Sequence, residues 1–144
     1  MSHWKLTEFT PAQVWDLAQR HHLDWDENQV GRLMELVGGH PYLVRVALYQ
    51  ISRQEITLDD LWESAPTEAG LYRDHLRRHL WNLEQHSDLY DAMLSVVNQA
   101  TPLRLSAKLS FQLNSMGLVR LDRNEVVPRC HLYREYFRDR LLEF

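Results

Sequence analysis

Apolar side chains recur at spacings of three and four residues along most of the chain, and this helical period changes only once, near residue 118. Only five glycines and five prolines interrupt the 144 residues, which favours long helices. Helix starts are predicted at Thr10-Pro11, Asp26, Pro41 and Thr57, where capping residues or prolines precede the apolar stripes. The pattern predicts a helical bundle that ends at the boundary 65–67.

The C-terminal part combines helices with a β-hairpin. Three helices are expected before the change of period: over about 68–85, from Ser87, and from Thr101-Pro102 to about Ser115. Apolar residues at 118, 119, 121 and 126–128 flank a polar turn and predict two paired strands. An amphipathic helix then closes the chain. This order is that of a winged helix, so the sequence predicts a mainly α fold, a helical bundle followed by a winged helix with a two-stranded β-hairpin.

Charge and cysteine content limit the classes of partner and compartment. The net charge of −4 gives no overall attraction for nucleic acid or membrane. Residues 101–144 are the exception, with 8 Lys and Arg against 5 Asp and Glu. A lone cysteine, Cys130, excludes an internal disulfide and is typical of a reducing compartment. The chain lacks a secretory signal pattern and an apolar run long enough to span a bilayer, so we expect a cytoplasmic protein.

The motifs of common enzymes are missing from the sequence. No GxxxxGK[ST] loop could wrap a phosphate with backbone N–H groups, and no Gly-x-Ser-x-Gly elbow is present. Cys130-His131 could suggest a thiol nucleophile, but packing of a buried cysteine is the favoured interpretation. His75 and His79 could share a metal across one helical turn, but neighbouring arginines would repel a cation. We therefore expect no enzymatic activity and no metal site.

A winged helix also raises the question of nucleic-acid binding. The predicted helix from Pro102 occupies the recognition position, but it offers only Arg104 and Lys108 as phosphate-binding cations. Arg123 in the predicted wing stands among acidic residues. Because DNA-binding proteins gather several cations, use of the fold as an interaction or regulatory module is favoured over direct DNA binding.

Four stretches of the sequence resemble one family. The run Leu36-Val37-Gly38-Gly39-His40-Pro41-Tyr42-Leu43-Val44 resembles the lid-domain motif of STAND-type AAA ATPases. Stretches 70–77, 115–119 and 127–133 resemble further parts of the AAA-like proteins abundant in cyanobacteria, in the same order. The resemblance covers essentially the whole chain. It implies that residues 1–65 form a helical lid subdomain, and that 66–144 form a leading helix plus a winged-helix domain.

The resemblance also implies nucleotide contacts in the lid. In STAND proteins a glycine-proline motif places the lid against the base and sugar of the bound nucleotide, which implies such contacts for Gly39, His40 and Pro41. A helix start with its preceding turn explains the same three residues without a ligand, and both interpretations stay open. Arg45 could replace the arginine that other AAA proteins aim at the γ-phosphate. However, it lies one helical turn after the position expected for that arginine, which favours a surface salt bridge.

A second implied contact lies near the C-terminus. Cys130-His131-Leu132 resembles the Met-His-Asp signature whose histidine reaches the ADP phosphates in STAND proteins. His131 matches that histidine, whereas Leu132 replaces the acidic residue.

The favoured function is that of a non-catalytic region of an AAA-like signalling ATPase, which relays nucleotide state and contacts other proteins. ATP or ADP with Mg²⁺ would then be bound only where an upstream P-loop core is present. Whether the chain is a fragment or a stand-alone protein stays open. The alternative is a small winged-helix DNA-binding regulator, and a third possibility is an adaptor that self-associates through Trp4, Trp15 or Trp25.

Overall fold

The computed structural model describes residues 8–141, which form eight helices and one β-hairpin. The helices are α1 (Pro11–Arg20), α2 (Glu27–Val37), α3 (Pro41–Ser52), α4 (Leu58–Ser64), α5 (Arg73–Glu84), α6 (Ser87–Asn98), α7 (Ala107–Ser115) and α8 (His131–Arg140). The strands are β1 (Val119–Asp122) and β2 (Glu125–Pro128). The predicted fold class, mostly helical with a two-stranded hairpin near the C-terminus, is confirmed.

The chain divides into two compact units. Among the described residues, the first contains 8–65 together with Ala69–Leu71, and the second contains Pro66–Glu68 together with 72–141. The chain therefore crosses from one unit to the other within residues 65–72. No helix among residues 8–141 is both long enough and apolar enough to cross a membrane.

The first unit is a bundle in which α2 contacts α1, α3 and α4. Two capping boxes begin its first two helices, because Thr10 and Asp26 each accept hydrogen bonds from the first turn while Gln13 and Gln29 bond back to the cap residues. The apolar faces meet in a core of fully buried side chains, among them Val14, Leu33, Leu36, Leu43, Leu48 and Leu61. Burial of each leucine side chain contributes on the order of 2 kcal/mol.

The second unit is built around α6, which contacts α5, α7, α8 and β2. Its core combines fully buried aliphatic and aromatic side chains, among them Leu76, Leu83, Met93, Leu113, Tyr136 and Phe137. The rings of Tyr136 and Phe137 meet edge to face, with centroids 5.1 Å apart, which adds to the stabilisation from burial.

The hairpin follows α7 and is antiparallel, with Val119 opposite Pro128 and Asp122 opposite Glu125. Arg123 adopts a left-handed φ of 59° in the turn between the strands. A short bridge joins residues before α7 to the hairpin, because Leu103 and Val126 exchange two backbone hydrogen bonds of 3.0 and 2.8 Å.

Two predicted helix starts are wrong. The leading helix of the second unit begins at Arg73 instead of residue 68. A Cβ added to Gly70 would lie 2.4 Å from the carbonyl oxygen of Ser64, so residues 69–71 pack against the end of α4 and do not extend α5. The helix expected from Thr101-Pro102 begins at Ala107, because the bridge to Val126 holds Leu103 in an extended pairing.

Candidate functional site

The candidate lid contacts lie in the turn between α2 and α3. Gly38 caps α2 in the left-handed region with φ of 65°, and Gly39 follows with φ of 73°. The carbonyl oxygen of Gly39 accepts a hydrogen bond of 2.8 Å from the backbone N–H of Phe9. A Cβ on Gly39 would stand only 2.5 Å from the carbonyl oxygen of Phe9, so this turn requires glycine for both its conformation and its close packing.

His40 and Pro41 begin α3. The Nδ1 atom of His40 accepts a hydrogen bond of 3.4 Å from the backbone N–H of Leu43, so the imidazole acts as the helix cap. Pro41 occupies the first helical position, where a missing N–H costs nothing. These residues therefore form the helix start of α3. Tyr42 beside them exposes 54% of its surface.

Arg45 lies one turn further along α3. Its guanidinium carbon stands 5.3 Å from the centroid of the Phe9 ring, within range of a cation–π interaction. Both side chains line a cavity of about 430 Å³ together with Asp16 and Arg20, which form their own ion pair of 3.0 Å. The Gly39–Arg45 segment is therefore held against Phe9, which bonds to Gly39 through its backbone and contacts Arg45 through its ring.

His131 belongs to the second unit, where it is the first residue of α8 and is half-buried. Cys130 before it occupies the N-cap position but supplies no side-chain hydrogen bond to the helix. Burial raises the pKa of the Cys130 thiol to about 12, so the thiol stays protonated and is a poor nucleophile at neutral pH. Leu132, which stands where the resemblance expects an acid, is fully buried and serves the core.

The histidine pair of α5 faces an aromatic neighbour. The Nε2 atom of His75 lies 2.7 Å from the hydroxyl of Tyr133, and the His75 and His79 rings meet edge to face. Within the described part of the chain, no group of three or more His, Cys, Asp or Glu side chains could hold a metal ion. His75 is therefore engaged in the packing of α5 against α8.

Two of the three nucleic-acid candidates line one cavity. Arg104 precedes α7 and Arg123 lies in the hairpin turn, and both line a cavity of about 530 Å³ whose other walls include Phe111 and Leu121. Lys108 is exposed on the first turn of α7 and is not among the residues that line this cavity.

Sequence reasoning missed a carboxylate at the start of the second unit. The Glu68 carboxylate accepts hydrogen bonds of 2.7 Å from Arg77 and 3.2 Å from the Tyr136 hydroxyl. It also forms an ion pair of 2.9 Å with Arg140. Burial alone would raise its pKa, but the hydrogen bonds from Arg77 and Tyr136 and the charge of Arg140 outweigh that effect and lower the pKa below 4.5. Glu68 therefore joins the segment before α5 to α5 and α8. Its partners lie 9 to 72 positions away, beyond any local sequence signal.

The aromatic candidates for self-association differ in burial. Trp25 is buried, with 9% of its surface exposed, whereas Trp15 exposes 47%. Trp4 lies outside the described residues. Trp25 is therefore a core residue, and of these three side chains the structure describes only Trp15 as accessible.

Comparison with known proteins identifies the family. A family model described as an AAA-like domain matches residues 2–139, which is nearly the whole chain. No curated protein and no solved structure matches it. The match spans both compact units, including the α2–α3 turn and the start of α8. The chain therefore belongs to the AAA-like domain family.

Proposed function

We propose that this chain is a non-catalytic regulatory and interaction region of an AAA-like protein. The first unit would serve as the lid of a nucleotide site, and the second as a winged helix that relays the nucleotide state and contacts other proteins. The observation that carries the proposal is the family match over residues 2–139 in a sequence that contains no P-loop.

The placement of the glycines supports a role without hydrolysis. A P-loop needs a glycine-rich turn that opens a helix directly after a strand, so that successive N–H groups surround a phosphate. In the described residues the two strands form a hairpin, and the helix after it begins at His131 with no glycine adjacent to it in the sequence. The Gly38-Gly39 pair follows a helix instead of a strand.

The rigid α2–α3 turn supports a lid role for the first unit. A lid must present a fixed surface to the nucleotide base and sugar, and this turn is fixed by Gly39, the His40 cap and the Phe9 contacts. Pro41 adds an apolar ring that cannot donate a hydrogen bond. We assign His40, Pro41 and Arg45 to the nucleotide-facing surface of the lid, with Gly39 as the buried residue that fixes their turn.

The order of elements supports a winged-helix role for the second unit. Two helices, the short Leu103–Val126 bridge, α7, the hairpin and α8 follow one another in this unit. His131, as the first residue of α8, is in position to contribute an imidazole at a helix N-terminus, where anions are favoured. We assign to it a contact with the nucleotide phosphates when an ATPase core is present.

Calorimetric titration tests the proposal on the chain as it stands. We expect Mg-ATP and Mg-ADP at up to millimolar concentration to give no binding heat, because most phosphate contacts would come from an ATPase core. Affinity in the micromolar range, reduced by Pro41→Ala or His131→Ala, would contradict the proposal.

The assigned contacts need a second test in a protein that joins this chain to a P-loop core. There, His131→Ala should weaken ADP binding about tenfold, as expected for the loss of one charge-assisted hydrogen bond. His86→Ala is the matched control, since His86 is an exposed histidine of the same unit. Equal ADP affinity of both variants and the unmodified protein would remove His131 from the nucleotide site.

DNA binding is a second candidate function, favoured by the shared cavity of Arg104 and Arg123. Two arginines and Lys108 are few cations for a DNA surface, and the walls between the arginines are largely apolar. We therefore expect no salt-sensitive gel shift at low ionic strength. A shift that weakens steeply with salt and is lost in Arg104→Gln would favour the DNA-binding regulator.

A further inference from the structure

The exposed side of α7 combines an exposed aromatic side chain with nearby arginines. Phe111 lies at its centre and exposes 66% of its surface. Two cavities share Phe111: one of about 530 Å³ towards the hairpin and one of about 540 Å³ towards α5. We call this area the α7 surface, defined by Phe111 and by the side chains that line the two cavities.

Exposed apolar side chains line both cavities. Trp81 of α5 exposes 62% of its surface and lines the second cavity, while Leu121 of β1 exposes 47% and lines the first. With Phe111, three of the six exposed large apolar side chains of the described residues therefore line these two cavities.

Two buried polar atoms on α7 lack partners. The hydroxyl of Ser110, a residue with 8% of its surface exposed, and the Oε1 atom of Gln112 have no hydrogen-bond partner among the described residues. Ser110 lines the first cavity and Gln112 lines the second, on either side of Phe111 in the sequence. Because both atoms are shielded from solvent, recognition at the α7 surface falls to Phe111 and to the charges around it.

The charge of the α7 surface is positive. Arg104 and Arg123 line the first cavity, and none of the described residues that line either cavity is acidic. Neither arginine forms an ion pair with another described residue, although Asp122 and Glu125 stand next to the hairpin turn in the chain. A carboxylate beside Phe111 would therefore find complementary charge.

We propose that the α7 surface binds an acidic peptide segment of a protein partner, with a large apolar side chain of the peptide seated beside Phe111. The carboxylates of the segment pair with Arg104 and Arg123. This inference deepens the proposed function by naming the surface for protein contacts. Apolar walls and few cations favour a peptide over nucleic acid.

An unbiased selection with the full chain tests this inference. A display library of random 12-residue peptides is selected on the chain, and the enriched peptides are synthesised and titrated by fluorescence anisotropy. We expect them to carry carboxylates within a few residues of a large apolar side chain, with affinity that falls as salt is raised.

Three variants locate the binding. Phe111→Ser should raise the Kd of the enriched peptides at least tenfold, and Arg123→Asn about threefold. Asparagine tolerates the left-handed φ at position 123, so that substitution removes charge without backbone strain. Trp15→Ser is the matched control, because it removes an exposed aromatic side chain from the first unit, and it should leave the Kd unchanged.

Several outcomes would overturn the inference. They are enriched peptides without acidic bias, equal affinity for Phe111→Ser, or tighter binding of a 12-nucleotide single strand than of any peptide. A dimer in light scattering that Phe111→Ser dissociates would assign the surface to a second copy instead. None of these results bears on nucleotide binding, so failure here is distinguishable from failure of the regulatory proposal.

Discussion

Gly39 shows how a single residue fixes the candidate lid contact. Its positive φ and its approach to Phe9 both exclude a Cβ, and the same turn orients the His40 cap and Pro41. The glycine pair was visible in the sequence as a helix end, since left-handed caps are a local signal. Its contact with Phe9 was not, because that contact joins residues 30 positions apart.

Substitution of Gly39 should therefore be costly. We expect Gly39→Ala to lower the free energy of unfolding by about 2 kcal/mol or more, because the added Cβ meets the Phe9 carbonyl oxygen in a strained conformation. Gly31→Ala is the control: it lies inside α2 with no atom within 4 Å of an added Cβ, and it should gain about 0.5–1 kcal/mol. Urea unfolding measures both, and equal effects would contradict this account of the turn.

Glu68 should make the stability of the fold depend on acidic pH. Its pKa is lowered in the folded state, so its contribution to stability is present above pH 4.5, the ordinary value, and is lost as the pH falls through the folded value. Glu68→Gln should cost about 1 kcal/mol at pH 7, a small figure because the ion pairs are partly exposed, and a smaller amount near pH 3. Glu84→Gln, an exposed carboxylate on the same unit, should have little effect at either pH. A pH-independent cost for Glu68→Gln would contradict the ion-pair explanation.

At the scale of elements, the sequence predicted helix starts where the cap is local. Thr10, Asp26 and Thr57 all cap as expected, because each bonds to N–H groups two or three positions ahead. The starts of α5 and α7 were predicted too early. Gly70 packs against Ser64 and Leu103 pairs with Val126, and no local sequence pattern reveals either contact.

The buried Cys130 thiol at the N-cap of α8 should make the stability of the fold depend on alkaline pH. The pKa of Cys130 rises from 9.0 to about 12 through burial, so above pH 9 the unfolded chain loses a proton that the folded chain keeps. Stability should therefore fall between pH 9 and 12, by at most about 1.4 kcal/mol per pH unit for this group. Cys130→Ala should show a shallower fall in urea unfolding between pH 8 and 11. Parallel pH profiles for the two proteins would mean that the thiol ionises equally in both states.

At the scale of the whole molecule, the sequence established the fold class and family more fully than the site. The clustering of the lid candidates at the α2–α3 turn was predictable from the sequence, because Gly39, His40 and Pro41 are consecutive and Arg45 follows one helical turn later. Ser110 and Gln112 were not, because unpartnered burial depends on how α7 packs within its unit. The α7 surface emerges only from the folded arrangement of α5, α7 and the hairpin.

We propose that these helices respond to a nucleotide held elsewhere and do not process it. Steady-state ATP hydrolysis by the purified chain, with Mg²⁺ present, is the decisive measurement. We expect turnover no higher than that of the buffer blank, and no difference between the unmodified chain and His131→Ala. Sustained turnover that His131→Ala or Arg45→Ala abolishes would show that the chain itself processes ATP.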